Sequence, residues 1–354
     1  LLPLLSYGGL YPVPRHVLER LGSAWTEPEN IVTNGPFELE SWQRGVSIQL
    51  VRNPRYHGRF GGNVQRVDLS MSVLGDWPTT LQMYEADLLD IIGLAGSPEE
   101  ADRARQRLAG DYFTQPGVVV HYMAFDVTRK PFNDLRVRLA FTHALDRDAL
   151  ADATSAGYRQ PATGGFVPPG MAGHAADIAL PHIPERGRQL LAEAGYPEGR
   201  GFPQVKLLAP AGFRAQAPYL RDQWRQELGV EIHFQVLPWP EFIGRVRNAP
   251  PHLSLMGWAP DYPDPDSFFR VAVQRHTAWR DERYFALVER ARRSLGPAER
   301  IALYAQAELI LVEQVPLLPL SYSRVHLLVK PWVRSSLRSA TGAFFWKDVI
   351  IEPH

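Results

Sequence analysis

The chain has 354 residues, 45% of them hydrophobic, which is enough to fill two cores and excludes a disordered or fibrous protein. Its 38 basic and 38 acidic residues cancel, so no global field draws it to nucleic acid or to an anionic membrane, and a charged ligand must be met locally. The absence of cysteine removes disulfides, thiolate metal sites and cysteine nucleophiles together.

No apolar run reaches the roughly 18 residues needed to span a bilayer, the longest being broken by Pro316, Pro319 and Lys330. The opening Leu1-Leu2-Pro3-Leu4-Leu5-Ser6 has neither a methionine nor a basic flank and reads as the middle of a longer protein. Pro12 and Pro14, followed by Val17, Leu18 and Leu21 at helical spacing, predict a short helix. Asn34-Gly35 is a turn signal, and the alternation from Phe37 to Trp42 predicts a strand, followed by strands at Val46–Val51 and Val64–Val73. Helices are expected over Thr79–Leu88 and near 98–108, then a strand over Val118–Asp126. Asp134 is placed as N-cap of a helix whose Val137, Ala140, Phe141, Ala144 and Leu145 share one face.

The second half alternates. A helix at 184–194 stops at Gly195-Tyr196-Pro197. Next come a strand at Val205–Leu208, a helix at Ala215–Leu228, a strand at Val230–Val236, a loop bearing Trp239, a helix at Glu241–Val246 and a strand at Leu253–Trp258. Such alternation predicts an α/β lobe. Two amphipathic helices at 282–294 and 298–313 and two strands at Leu317–Tyr322 and Val325–Val329 complete the pattern.

The most informative stretch is Gly257-Trp258-Ala259-Pro260-Asp261-Tyr262-Pro263-Asp264-Pro265-Asp266-Ser267-Phe268-Phe269. Its prolines exclude a helix interior and a central strand, so aromatic and acidic side chains are carried on a stiff turn. A flat apolar ring beside a fixed carboxylate suits recognition, and stiffness lowers the entropy lost on binding. The plainer reading makes Trp258 and Phe268 core residues and the aspartates turn formers.

Gly-Trp-x-x-Asp-Tyr-x-Asp-Pro followed by Phe-Phe resembles the corresponding segment of the oligopeptide- and dipeptide-binding proteins of bacterial ABC importers, the extracellular solute-binding proteins of family 5. Asn34-Gly35-Pro36-Phe37 with Arg52-Asn53-Pro54-Arg55-Tyr56, the run Lys130 to Ala140, Ala144-Leu145-Asp146-Arg147, Phe166-Val167-Pro168-Pro169-Gly170-Met171 and Lys330-Pro331-Trp332-Val333 are similar to the same family in the same order. Tyr84 to Asp90 departs from it at Asp87 and Leu88, and Leu255 stands where some oligopeptide binders carry an arginine.

The resemblance implies an α/β, two-lobed periplasmic-binding-protein-like fold (type II, cluster C) with a hinge of two crossing strands and with the accessory N-terminal lobe absent. The first lobe would occupy 1–121, the second 122–322, and 323–354 would return to the first. It also implies a non-enzymatic, periplasmic or extracellular monomer, soluble or lipid-anchored, that binds a short peptide and presents it to an ABC permease. Asp261 would pair with the peptide's ammonium, and Trp258 would flank a side-chain pocket. Trp239, Tyr262 and Gly257, together with His121, Tyr122 and Tyr322 on the crossing strands, complete the expected ligand site. Neither cofactor nor metal is expected, since Asp261, Asp264 and Asp266 lack the glycine and glutamate of a calcium loop and the eleven histidines are scattered. No hydrolase elbow, zinc helix or phosphate loop is present. A nickel complex, an opine or an oligosaccharide as ligand, or a sensor domain of a transcription regulator, are the rival readings.

Overall fold

Backbone chemistry sets the first elements. In the computed structural model, which describes residues 5, 7–71, 76–94, 98–155, 157–334 and 344–354, helix α1 (Arg15–Leu21) begins after Pro14 and stops at Gly22, whose φ is 56°. A residue without Cβ holds that angle at little cost. Strands β1 (Phe37–Gln43), β2 (Ser47–Arg52) and β3 (Arg66–Ser70) form an antiparallel sheet in that order. The third is shorter than expected, and its predicted end at Val73 lies outside the described residues. Asp76 caps α2 (Trp77–Glu85), and β4 (Ile91–Gly93), α3 (Pro98–Arg107) and β5 (Tyr112–Phe125) follow.

The chain then forms α4 (Leu135–His143), α5 (Arg147–Ser155), β6 (Arg159–Pro161), α6 (Pro184–Glu193), β7 (Val205–Pro210), α7 (Gln216–Leu228), β8 (Ile232–Leu237), α8 (Trp239–Asn248) and β9 (Leu253–Trp258). A π-helical turn at Ser267–Ala272 leads into α9 (Val273–His276), α10 (Glu282–Arg293), α11 (Pro297–Gln314) and β10 (Leu317–Val329), and the short strands β11 (Val333–Arg334) and β12 (Ile350–Ile351) pair with each other. Asp134 caps α4 as its position predicts, accepting the Arg136 N–H at 2.9 Å.

Two compact units result, one of Leu1–Gln115 with Val325–His354 and one of Pro116–Arg324. The chain passes between them within β5 and within β10. The two strands expected at 317–322 and 325–329 are a single strand. Ser323 and Arg324 interrupt the apolar run without breaking the backbone, because Ser321–Ser323 pair with β6 while Leu327–Val329 pair with β4.

In the unit of Pro116–Arg324 the strands lie in the order β6, β10, β5, β9, β7, β8, with β5 antiparallel to β9 and β7 parallel to both β8 and β9. The period of two sorts side chains onto two faces. Val120, Tyr122, Ala124, Met256 and Trp258 enter one core with residues of α10 and α11. Met123, Phe125, Leu253 and Leu255 enter a second core with residues of α4, α6 and α7. In that second core Trp224 is fully buried, and its indole N–H donates to the Phe141 carbonyl at 2.9 Å. Two arginines of the family-like segments are buried as scaffold. Arg138 donates to the carbonyls of Phe132 and Gln314, and Arg147 to those of Leu180 and Pro319.

Candidate functional site

β7 has a parallel neighbour on each side, β8 next in sequence and β9 after it. The connection after β7 leads to β8 on one side and the connection after β9 leads to β10 on the other, and the crevice this opens lies outside the carboxyl ends of β7 and β9, a place where open α/β sheets take ligands. The chain supplies a 3₁₀ turn, Ala211–Phe213, at the end of β7 and the proline-rich loop at the end of β9. Topology alone thus points to the same stretch as the residue types.

The loop is held from inside by its own polar groups. Ser267 Oγ accepts the Trp258 indole N–H at 3.2 Å and the Asp261 backbone N–H at 3.1 Å. Asp264 accepts the Asp266 backbone N–H at 2.9 Å and Arg300 Nη2 at 2.6 Å, with Nη1 of the same guanidinium on its other oxygen. Asp266 accepts the Tyr262 hydroxyl at 2.6 Å, Arg270 Nε at 2.9 Å and the Tyr304 hydroxyl at 3.2 Å. Burial would push the Asp266 carboxyl up, but the bonds from Arg270 and Tyr262 outweigh it and hold the group below its ordinary value. Two of the three aspartates are thereby committed to protein cations and hydroxyls. Among the described residues no group of three or more metal-ligating side chains converges.

Asp261 differs from both. It is exposed, and its carboxylate accepts no hydrogen bond from any described residue, although its backbone is fixed by Ser267. The burial that would make an unpaired carboxylate costly is not present in this conformation. Trp258 is the opposite case: its ring is buried in the core with the edge of His276 at 5.4 Å, and the Arg275 guanidinium lies 5.4 Å from its centroid. The plainer sequence reading of Trp258 and Phe268, that both belong to a core, describes where they sit.

The remaining site residues divide between the two faces of the sheet. Tyr122 is buried on the Trp258 face, where its hydroxyl meets His276 Nδ1 and burial pushes its phenol well up. Burial, with the charge of Arg275 adding, pushes the His276 imidazole down to about 4. Tyr322, also in that core, donates its hydroxyl to the Gly165 carbonyl at 2.5 Å. Tyr262 is buried and engaged with Asp266 and Arg270. Trp239 is not in a loop. Pro240 follows it at the start of a helix, so the indole forms the first turn of α8, 56% exposed and stacked on Phe242 at 5.8 Å.

His121 and Gly257 face each other across β5 and β9, and alternation along those strands puts both opposite to Tyr122 and Trp258. A Cβ at position 257 would stand 3.3 Å from His121 Nδ1, so the glycine leaves room beside the ring. Ser267, Arg270, Arg300 and Tyr304 carry structural roles here that residue type alone did not single out. Their partners lie up to 38 residues away, and no local spacing encodes that.

An α/β unit with a clamped proline-rich loop at a switch point is an arrangement that can take a ligand. The family model of bacterial extracellular solute-binding proteins, family 5 (middle), matches residues 5–276, and the chain belongs to that family of binding proteins. It is 28% identical to the probable deoxycholate-binding periplasmic protein of Escherichia coli over 99% of this chain and 67% of that protein. It is 26% identical to the periplasmic oligopeptide-binding protein of Escherichia coli over 93% of this chain and 62% of that one. The dipeptide-binding protein of Escherichia coli is also 26% identical, over 91% of this chain and 62% of that one. The chain thus spans less than two thirds of the length of the two peptide-binding relatives.

Among solved structures, a periplasmic oligopeptide-binding protein of Borrelia burgdorferi superposes with a TM-score of 0.76 at 23% identity, over 96% of this chain and 69% of that one. The oligopeptide-binding protein of Haemophilus influenzae in complex with RPPGFSPFR superposes with a TM-score of 0.75 at 22% identity, over 99% and 71%. The fold is that of the periplasmic peptide-binding proteins.

Proposed function

We propose that this chain is the substrate-binding component of an ABC importer, working outside the cytoplasmic membrane as a soluble or lipid-anchored monomer. In this reading it binds a short peptide with a free amino terminus and delivers it to a membrane permease, without turning it over. The observation that carries the reading is Asp261, the exposed carboxylate without an internal partner on a loop whose other acids are spent. The loop holds its backbone in place through Ser267, so little order has to be gained when a cation arrives. A free amine is also what separates a peptide from a bile acid such as deoxycholate, named for one relative, and a carboxylate rewards the first and repels the second.

An exposed carboxylate–ammonium pair contributes only about 0–1 kcal/mol, and one desolvated by its ligand contributes about 1.5–3 kcal/mol. Asp261→Asn keeps size and backbone contacts while removing the charge. Isothermal calorimetry with trialanine and N-acetyl-trialanine tests the role. The variant is expected to lose about tenfold or more in affinity for the free amine and to bind the acetylated peptide as the parent chain does. Equal losses on both peptides rule out ammonium pairing.

A further inference from the structure

Among the described residues, the unit of Leu1–Gln115 with Val325–His354 divides its buried apolar side chains between two small clusters. Trp77, Tyr84, Ile92, Ala104 and Leu328 make one, and Val64, Val67, Val333 and Val349 make the other. A cavity of about 660 Å³ is lined by members of both, Trp77 and Ile92 from the first and Val67, Val333 and Val349 from the second. Packed interiors keep few voids larger than a water molecule, so a gap of this size between two half-cores is the place of an element.

The border of the cavity shows which kind. Every residue of β3, Arg66–Ser70, and every residue of β4, Ile91–Gly93, lines it. Side chains alternate in direction along a strand, so consecutive residues all reach one space only where the backbone edge faces it. Arg52 donates its N–H to the Gln65 carbonyl, Met71 donates to that of Val46, and Leu50 stands opposite Val67. The odd-numbered residues of β3 therefore turn their backbone groups to β2, and Arg66 and Asp68 turn theirs to the other edge. In the same way Leu94 donates to the His326 carbonyl and Lys330 to that of Asp90, which directs the amides and carbonyls of Ile91 and Gly93 away from β10. Among the described residues these outward groups have no backbone partner, and β3 and β4 are each the outermost strand of their sheet. The polar side chains at the rim are engaged already, Arg66 with Glu40 and Asp68, and Asp90 with the Trp332 indole. The space thus asks for backbone pairing on two sides and for apolar side chains, with no call for charge.

We infer that the cavity is the seat of one further β-strand, contributed by a part of this protein outside residues 1–354, which pairs with β3 along one edge and with β4 along the other and joins the two clusters into one core. A strand buried on both faces reads as a nearly continuous apolar run, here of about five residues. The occupant belongs to the same polypeptide, because a separate partner or a small apolar molecule would leave two open strand edges and a split core whenever it departed. Chain enough exists for it, since more than a third of each peptide-binding relative lies beyond the matched part.

Hydrogen–deuterium exchange of residues 1–354 and of the full product of the same gene tests the inference. In the full product the amides of Arg66, Asp68, Ile91 and Gly93 are expected to exchange about tenfold or more slowly, with no such change at Lys206 and Leu208 in β7. Asp68→Pro gives a second reading, because a sheet tolerates proline on an open edge and not within a paired strand. The variant is expected to leave the Tm of residues 1–354 unchanged and to lower that of the full product. A gene that encodes nothing beyond these residues, equal exchange of the four amides in both forms, or an Asp68→Pro that lowers the Tm of both alike would overturn the inference. So would protection of the four amides in residues 1–354 by themselves, which would mean that this chain, or at high concentration a second copy of it, already fills the cavity.

Discussion

Replacing Arg300 with leucine is expected to lower the stability of the chain by about 3–5 kcal/mol, the cost of leaving one member of a buried ion pair without the other. Asp264 is only 3% exposed and both of its oxygens face the Arg300 guanidinium, which also reaches the Ala291 carbonyl and the Tyr304 hydroxyl. The pair ties the proline-rich loop to α11, 36 residues further on. Without the arginine, Asp264 keeps only the Asp266 backbone N–H and has to ionise in the core or take up a proton. Urea unfolding of the parent, Arg300→Leu and Arg300→Leu with Asp264→Asn measures the effect. The second replacement is expected to recover much of the loss, because it removes the stranded charge. A loss below about 1 kcal/mol, the range of exposed pairs, would show that the pair is not buried as described.

A Glu308→Gln chain is expected to be more stable than its parent above pH 7 and equal to it near pH 4. Glu308 is fully buried on α11, where Oε1 accepts the backbone N–H groups of Phe166 at 2.7 Å and Val167 at 3.1 Å while Oε2 has no partner. Burial pushes its carboxyl up from 4.5 to about 7, against the two backbone bonds, which pull it down. Between those values the folded chain holds a proton that the unfolded chain has released, so stability falls as pH rises through this window, by about 1.4 kcal/mol per unit. Below the window both forms are protonated, and above it both are ionised and the loss is complete.

Glutamine imitates the protonated acid. Its oxygen can accept the same two N–H groups and it carries no charge to bury, so the gain at pH 8 is about 2–3 kcal/mol. Chemical unfolding of both chains from pH 4 to pH 8 isolates this group, since other carboxylates cancel in the difference. Parallel profiles would contradict a raised Glu308.

Local chemistry made much of the frame readable. The Asp134 cap, the glycine stop of α6 and the 3.6 period of α10 and α11 are each encoded within a few residues, and each stands close to where the sequence puts it. Less legible were features set by distant partners. Ser323 and Arg324 look like an interruption, yet β10 continues through them because different strands pair with its two ends. Trp239 follows a proline and reads as loop, yet the proline after it is also what a helix start accepts.

The site shows the same division. Proline spacing identified a stiff loop, and the switch point at β7 places that loop where α/β sheets bind ligands. Nothing local told that Asp264 and Asp266 would be claimed by Arg300, Arg270 and Tyr304 while Asp261 would not. Nor did composition separate His121 from Tyr122; adjacent on one strand, they face opposite cores.

A native mass spectrum of the chain, purified without denaturation from bacterial cells and then offered a mixture of short peptides, tests the central reading most directly. The expected result is a complex heavier than the bare chain by the mass of a short peptide, whose released ion fragments as an unblocked sequence with a free amino terminus. A chain that stays bare in the presence of the peptides, or that carries a ligand with no amide backbone, would contradict it.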